Sequence, residues 1–443
     1  MSTMLRCTVA SCFFVLFLVL FLSFSSLRLF AEYRSIQKSL LPSQNYSLYH
    51  PIELEEPLKT ETRNSLSRSF YERNPAGSSK LLQYTSFSID KPFMTPALFD
   101  RYKGSVGVDY SGCQKGSSFG IDDVYPMNGT SIDITLITAG AMNRLVLFPI
   151  IASRWSGPIL FVLHVKEEEE PTLQSTLRSP DYTTLCQPRI TLLVYLSSAT
   201  AFFHSNYPIN ILRNFGIRHC RTTHFLLLDT DMLVSKDAYP TLMKLRDSLL
   251  LDAKVALVMP AFFSFNWKLP DLPLEQQLQA MAKEAPFSAK DLDQCFKRKA
   301  CLPRKKGLFT HYYNTNFSIV FDLRRENKQQ YYEYDCWPNR YQEPYLVVRR
   351  NDSIVLFNEV LINYGHNKIT YVENLRFHGY RFVLAGRCFI FDIPHTKSDY
   401  QKQHTIERTN ANWRAKTTYL RHLYVESLKR NDVMTLCDKS NPY

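Results

Sequence analysis

The chain has 443 residues, of which 45% are hydrophobic and 14% aromatic, which excludes a largely disordered protein and allows one large or two ordinary domains. Its formal net charge of +12 points to an anionic partner such as a phosphate, a nucleotide, an acidic glycan or a membrane surface. The Lys and Arg residues are scattered, with no long basic tract, which argues against nucleic acid as that partner.

The first element in chain order concerns the compartment. From Cys7 to Leu27 no residue is charged, and Phe13, Phe14, Phe17, Phe21 and Phe24 enrich the run further. As a helix this stretch is ~30 Å long, enough to span a bilayer. A cleaved signal peptide would have a shorter apolar region and a small-residue cleavage site. Residues 7–30 are therefore expected to be an uncleaved transmembrane signal anchor after a cytoplasmic tail of residues 1–6, with cleavage as the alternative. Arg6 precedes the run and Arg28, Arg34 and Lys38 follow it, so flanking charge does not settle orientation. Sequons at Asn45, Asn128, Asn316 and Asn351 place the remainder in the secretory lumen. Eight cysteines beyond the anchor, Cys113, Cys186, Cys220, Cys295, Cys301, Cys336, Cys388 and Cys437, are even in number and suited to disulfides there, with no zinc-type CxxC spacing. Their pairing cannot be deduced from spacing.

Residues 31–130 read as a polar stem and lead-in. From about 131 a strand–helix alternation begins. "IDITLIT" (132–138) reads as a strand, 143–155 as a helix, and 158–165 and 190–196 as strands. The Glu167–Glu170 run between them reads as a solvated loop. A helix over 210–220, a strand over 224–229 and a helix over 236–252 with Ser235 as its N-cap follow, and then a strand over 254–263. Such a pattern implies a mainly parallel sheet covered by helices on both faces, in which ligands bind beyond the carboxyl ends of the strands.

Asp229 and Asp231 stand at such an end. Residues at i and i+2 of an extended segment point to the same side, so the two carboxylates can address one divalent cation, Mg²⁺ or Mn²⁺. A cation there would bridge a nucleotide diphosphate and neutralise it as it departs. The competing reading is a turn-forming pair that caps the next helix.

Several segments occurring in order carry a family resemblance: "DITLITAGAMNRLVLFPIIASRWSGPILFVLHV", "YPINILRN" (207–214), "FLLLDTDMLVS" (225–235), "VMPAFF", "EPYLVVRR" (343–350), "NYGHNK" (363–368) and "FVLAGRCFIFDIPH" (382–395). Over about residues 131–425 the chain resembles the LARGE-type glycosyltransferases, family 49, which includes a β-1,4-glucuronyltransferase acting on dystroglycan glycans. The resemblance implies a GT-A, Rossmann-like α/β fold with a mixed, mainly parallel central sheet over 131–430 and a tail at 431–443, a UDP-sugar donor, Mn²⁺ and an inverting transfer to a glycan hydroxyl. It gives Asp229 and Asp231 the metal and nucleotide role, and makes Thr138, Asn210, Arg213, Asn214 and Lys368 candidates for the donor site. The family usually ends its metal site with a segment of the form hxxHxPH. Here Asp392 replaces the first His and His395 is the second, so either can supply the third ligand, with Asp392 preferred, or that ligand is lost. His366 replaces an aromatic residue of the family. Glu343 and Glu359 are the candidates for the base that deprotonates the acceptor, Glu343 ranked first. The expected protein is thus a single-pass type II Golgi membrane enzyme with a lumenal catalytic domain. It transfers a sugar, with glucuronic acid and xylose as the family precedents, from UDP to a glycan or glycoprotein. The alternative is a catalytically inactive glycan- or nucleotide-binding protein on the same fold. A membrane-anchored hydrolase is disfavoured because no Ser-His or paired-base motif stands out.

Overall fold

A computed structural model describes residues 102–126, 131–303, 320, 330–339, 341–351, 354–359, 361–363, 365–397, 420, 426–427 and 429–437. The expected signal anchor, most of the stem and the sequons at Asn45, Asn128 and Asn316 lie outside these residues. Among the described residues, no helix is long and apolar enough to cross a membrane.

Strands β1 (Ser105–Asp109) and β2 (Ser118–Phe119) come first, followed by β3 (Ile134–Ala141), a 3-10 segment (Met142–Leu147), α1 (Phe148–Arg154) and β4 (Ile159–Lys166). Then come α2 (Glu170–Leu177), β5 (Ile190–Ser197), α3 (Ile209–His219), β6 (His224–Asp229), β7 (Met232–Val234) and α4 (Ala238–Met243). The second half holds β8 (Val255–Met259), β9 (Ala261–Ser264), α5 (Leu274–Glu284), α6 (Ala289–Lys297), β10 (Cys301–Leu302), β11 (Tyr331–Glu333), β12 (Tyr345–Arg349), α7 (Asn367–Phe377), β13 (Arg381–Ala385) and β14 (Ile390–Asp392).

The strands form a ten-stranded sheet in the order β11-β13-β8-β12-β6-β3-β4-β5-β1-β2 and a four-stranded sheet in the order β10-β9-β14-β7. At the centre β6, β3, β4 and β5 are mutually parallel. Their near-continuous burial is what a parallel sheet covered on both faces requires. Beyond this centre the pairings β5–β1, β1–β2, β6–β12, β12–β8 and β13–β11 are antiparallel. The sheet is therefore mixed, as expected, but its parallel pairings are confined to the centre and to β8–β13, because residues 102–126 and 331–349 contribute antiparallel flanking strands whose type the alternation in 131–263 could not reveal.

Other expectations change for local physical reasons. Pro260 cannot donate to a ladder, so the single strand expected over 254–263 splits into β8 and β9, which belong to different sheets. The helix expected over 236–252 breaks after Met243 and resumes as one π-helical turn at Arg246–Leu250. Ser235 caps nothing with its side chain; its hydroxyl accepts from the Phe389 amide (3.2 Å) and so ties β7 to the lead into β14. Glu167–Glu170 is not a loop. It forms the entry to α2, where carboxylates favour the positive end of the helix. Residues 431–437 are fastened to the body by the Trp337–Leu436 bridge and the Cys336–Cys437 disulfide.

Helix α3 is buried on nearly all sides. Gly216 lets it lie against the parallel sheet, since a Cβ there would come within 2.6 Å of the Ile137 side chain and 3.2 Å of Val162. Phe148 stacks on Phe161 with ring centroids 4.1 Å apart, sealing α1 to β4. Six of the eight cysteines pair, as Cys113–Cys186, Cys295–Cys301 and Cys336–Cys437, while Cys220 and Cys388 are buried thiols.

Cys113–Cys186 closes a span of 73 residues between the β1–β2 edge and the lead into β5. Replacing both residues by Ser should lower unfolding free energy by about 2–4 kcal/mol. Chemical denaturation would show this as an earlier midpoint, and an unmoved midpoint would show that the bridge adds no stability.

Candidate active site

Asp229 is the last residue of β6, in register with Ala139 of β3, at the carboxyl end of the parallel centre. The chain then turns at Thr230 and enters β7 of the small sheet. Three groups converge on Asp229. Arg213 donates to Oδ1 (2.8 Å), while Lys368 (2.8 Å) and the Tyr345 hydroxyl (2.9 Å) donate to Oδ2. Burial works to raise the Asp229 carboxyl, but Lys368 and Arg213 outweigh it and hold the group well below the usual carboxylate range.

Each partner is aimed by its own element. Arg213 sits in the middle of α3, its guanidinium 5.0 Å from the centre of the Phe357 ring. Lys368 is the second residue of α7 and its ammonium lies 4.3 Å over the Tyr345 ring while also donating to the Tyr345 hydroxyl (2.9 Å). The turn ahead of α7 has Asn363, Gly365 and His366 at positive φ. A left-handed His is costly, by about 1–3 kcal/mol, and this strained turn is what brings Lys368 over the end of β6. Burial pushes the Tyr345 hydroxyl well up, and Asp229, Asp231 and Asp392 push in the same direction, so it stays a donor.

Asp231 has a different environment. His395 Nε2 lies 2.9 Å from Oδ2, and His395 Nδ1 lies 2.6 Å from the Thr396 carbonyl. A carbonyl can only accept, so Nδ1 carries a proton and Nε2 is the nitrogen turned toward the carboxylate. Burial works against the charge of both groups. Their mutual hydrogen bond nevertheless raises His395 above its ordinary value and lowers Asp231, the latter helped by the positive charge of Arg144.

The other sequence candidates fall around this centre or below it. Glu343 is half-buried two residues before Tyr345; burial pushes its carboxyl up, against the pull of Lys368 and Arg213 and with the push of Asp229. Asp392 lies opposite Met232 in the β14–β7 pairing, and its charge reaches the Tyr345 hydroxyl. The contact to Asp231, however, comes from His395. Thr138 is fully buried in β3 and its hydroxyl has no hydrogen-bond partner among the described residues. Asn210 donates to the Asn358 carbonyl (2.8 Å). Asn214 donates to the Phe357 carbonyl (2.8 Å) and to Glu359 Oε1 (2.7 Å), and it accepts from the Phe357 amide (2.9 Å). These two amides thus hold segment 357–359 onto α3. Glu359 also takes an ion pair from Arg218 (2.8 Å) and a hydrogen bond from Tyr102, so both of its oxygens are engaged.

Tyr345 and Arg144 were not singled out from the sequence. Tyr345 shares with Glu343 the i, i+2 spacing that drew attention to the aspartates, and Arg144 is the first cation beyond the end of β3. Both signals were present.

Among the described residues no three His, Cys, Asp or Glu side chains are gathered into a ready-made metal site. The donor set still suits a hard divalent cation in part. Asp231 presents oxygen, and His395 presents Nε2 with its other nitrogen locked onto a carbonyl, the arrangement typical of a ligating histidine. Asp229, in contrast, already has both oxygens bonded to cations or a hydroxyl.

A family model described as "Glycosyl-transferase for dystroglycan" matches residues 186–426. The chain is 25% identical over 283 residues to the xylosyl- and glucuronyltransferase LARGE1 of Homo sapiens, covering 62% of this chain and 33% of that protein. It is 23% identical over 273 residues to the glycosyltransferase-like protein gnt14 of Dictyostelium discoideum, covering 60% of this chain and 38% of that one. The chain therefore spans about a third of the length of the curated relatives it matches. Among solved structures, S. aureus TarS 1-349 overlaps at a TM-score of 0.37 with 11% identity, covering 68% of this chain and 66% of that chain. GalNAc-T7, solved with UDP, GalNAc and Mn2+, overlaps at a TM-score of 0.35 with 10% identity, covering 86% of this chain and 65% of that chain.

The Asp231–His395 pair makes stability depend on pH. Because His395 is raised above 6.5, its contribution is complete below that value and is lost as pH climbs through the raised one. In chelator-treated protein, thermal melts from neutral to alkaline pH should show wild type declining toward His395→Gln. Parallel curves for the two proteins would discard the ion pair.

Proposed function

Because the chain belongs to the family of glycosyl-transferases for dystroglycan, we propose that it transfers a sugar from a UDP-sugar to a hydroxyl of a glycan or glycoprotein, with inversion at the anomeric carbon. One observation carries this reading: Asp229 closes a central parallel strand with Arg213, Lys368 and Tyr345 fixed upon it. The carboxyl ends of parallel strands are where open α/β sheets bind ligands. Asp229 thereby anchors two cations where the departing diphosphate of a sugar nucleotide needs its charge met. A central parallel sheet that hands its aspartate pair to a small second sheet supports a GT-A reading of the fold.

The chemistry asked of these residues is displacement. Glu343 takes the proton of the acceptor hydroxyl as that oxygen attacks the anomeric carbon and the bond to UDP breaks. Its raised pKa makes it a stronger base once ionised, and Lys368 and Arg213 keep the ionised form accessible. Glu359, with both oxygens committed inside the protein, serves position rather than proton transfer. Lys368 has one N–H left to direct toward developing negative charge, while the Tyr345 hydroxyl, its single proton given to Asp229, holds that carboxylate and the ammonium in place. A divalent cation such as Mn²⁺, when bound, would neutralise the diphosphate; Asp231 and His395 would hold it, with Asp229 and Asp392 beside them.

Glucuronic acid and xylose are the donor sugars this proposal favours, in keeping with the xylosyl- and glucuronyltransferase for which the LARGE1 relative is named. The apolar run at 7–27 and three disulfides support a Golgi type II membrane protein with its catalytic domain in the lumen.

The test is a panel of UDP-sugars incubated with the purified protein and Mn²⁺. Slow release of UDP from one donor is the expected result, and release from none, in protein shown to be folded, would overturn the proposal. Glu343→Gln should lower kcat by roughly 10²–10⁴-fold while UDP affinity stays nearly unchanged. A variant as active as wild type would remove Glu343 as the base. Asp229→Asn should abolish transfer while the protein still folds, and full activity in that variant would end the role given to Asp229.

A further inference from the structure

Among the described residues, the cations around the two aspartates are matched to them with one exception. Arg213 and Lys368 are committed to Asp229, and His395 to Asp231. Arg144 has no ion pair or hydrogen bond among the described residues, and its Nη1 is buried without a partner. A buried guanidinium N–H left unmade costs about 1–3 kcal/mol or more, so such a group calls for a reason.

Its position is fixed by close packing at the end of β3. A Cβ on Gly140 would come within 2.9 Å of the Arg144 Cβ and 3.0 Å of the Thr230 methyl. Gly140 therefore leaves the room in which the Arg144 stem and Thr230, the residue between the two aspartates, sit side by side. Two residues before Gly140, the Thr138 hydroxyl is also fully buried and, among the described residues, unpartnered. Arg144 is close enough for its charge to bear on both Asp231 and His395. No carboxylate among the described residues stands within ion-pair distance of it. Two hydrogen-bond donors are thus unused at the carboxyl end of one central strand, beside the carboxylate pair.

We propose that Arg144 is a donor-binding residue that takes an anionic oxygen group of the sugar nucleotide. This rests on the UDP-sugar reading above and goes beyond it by assigning a residue and a ligand chemistry. A guanidinium offers a flat, forked set of donors that matches the paired oxygens of a phosphate or a carboxylate. Both groups can occur on a donor, as its diphosphate or as the carboxylate of a uronic acid sugar. The chemistry recognised is the same, and binding measurements separate the two sources.

The experiment is calorimetric titration of the full chain in detergent, with Mn²⁺ present, using UDP, UDP-xylose and UDP-glucuronic acid as probes. It compares wild type, Arg144→Ala and Arg144→Lys, each checked by thermal melting. Loss of a charge-assisted hydrogen bond should weaken binding in Arg144→Ala by roughly 10- to 100-fold. Arg144→Lys, which keeps the charge but not the fork, should fall between the two. Equal weakening for all three ligands supports the proposal with the diphosphate as the group held. Weakening confined to UDP-glucuronic acid supports it with the uronate carboxylate as that group. Unchanged affinity for every ligand in a folded Arg144→Ala, while wild type binds, would overturn the assignment and leave the donor reading intact. Wild type that binds no UDP ligand would remove the donor reading and this inference with it. Should Arg144→Ala fail to fold, the Arg144→Lys comparison decides: affinity equal to wild type for all three ligands overturns the proposal.

Discussion

A carboxylate at the end of a buried strand costs several kcal/mol unless charges of the opposite sign meet it there. Asp229 is such a group, and much of the structure around it follows from how it is met. Arg213 must come from a helix lying flat on the parallel sheet, which is why α3 is buried nearly all round and carries Gly216 where it touches β3 and β4. Lys368 must come from the first turn of a helix pointing its positive end at the strand, and the left-handed Asn363, Gly365 and His366 set that angle. The Tyr345 hydroxyl arrives from β12, an antiparallel neighbour of β6. Three elements from distant parts of the chain are thus held to one oxygen pair.

The polar residues of α3 divide between two tasks. Arg213 faces Asp229, whereas Asn210 and Asn214 turn to segment 357–359 and satisfy its backbone. Glu359 lies in that second layer, where Arg218, Asn214 and Tyr102 take up its oxygens. A carboxylate tied in this way positions its neighbours. Glu343 is half-buried with no such ties among the described residues, and that difference separates the two acids more sharply than anything in their sequence surroundings.

Much of the centre was legible because the chemistry is local. Two aspartates one residue apart after four apolar residues identify a strand end, and Arg213 and Lys368 stood out as cations in segments that carry a family resemblance. What the sequence hid depends on contacts between distant segments. Whether Asp392 or His395 reaches Asp231 turns on the β14–β7 register, in which Asp392 pairs with Met232 while His395 lies three residues further on. The antiparallel flanks of the sheet were hidden because the strands supplying them, β1, β2, β11 and β12, lie outside the strand–helix alternation. The break at Pro260 was visible in principle, since a proline inside an apolar run already argues against one continuous central strand.

That break and the Asp229–Asp231 segment turn out to be related. β6 ends at Asp229 in the large sheet and β7 begins at Met232 in the small one; β8 ends at Met259 in the large sheet and β9 begins at Ala261 in the small one. The chain crosses between sheets at both places, once through Thr230 and Asp231 and once through Pro260. The two aspartates are therefore not equivalent members of one extended strand. Asp229 belongs to the large sheet and to the cations carried by α3 and α7. Asp231 belongs to the crossing, where the small sheet brings His395 to it. Arg144 lies over Gly140 beside Thr230, between these two environments. A site built across such a junction takes its cations from the helices that pack on the large sheet and its Asp231–His395 pair from the crossing into the small one, which one continuous strand could not do.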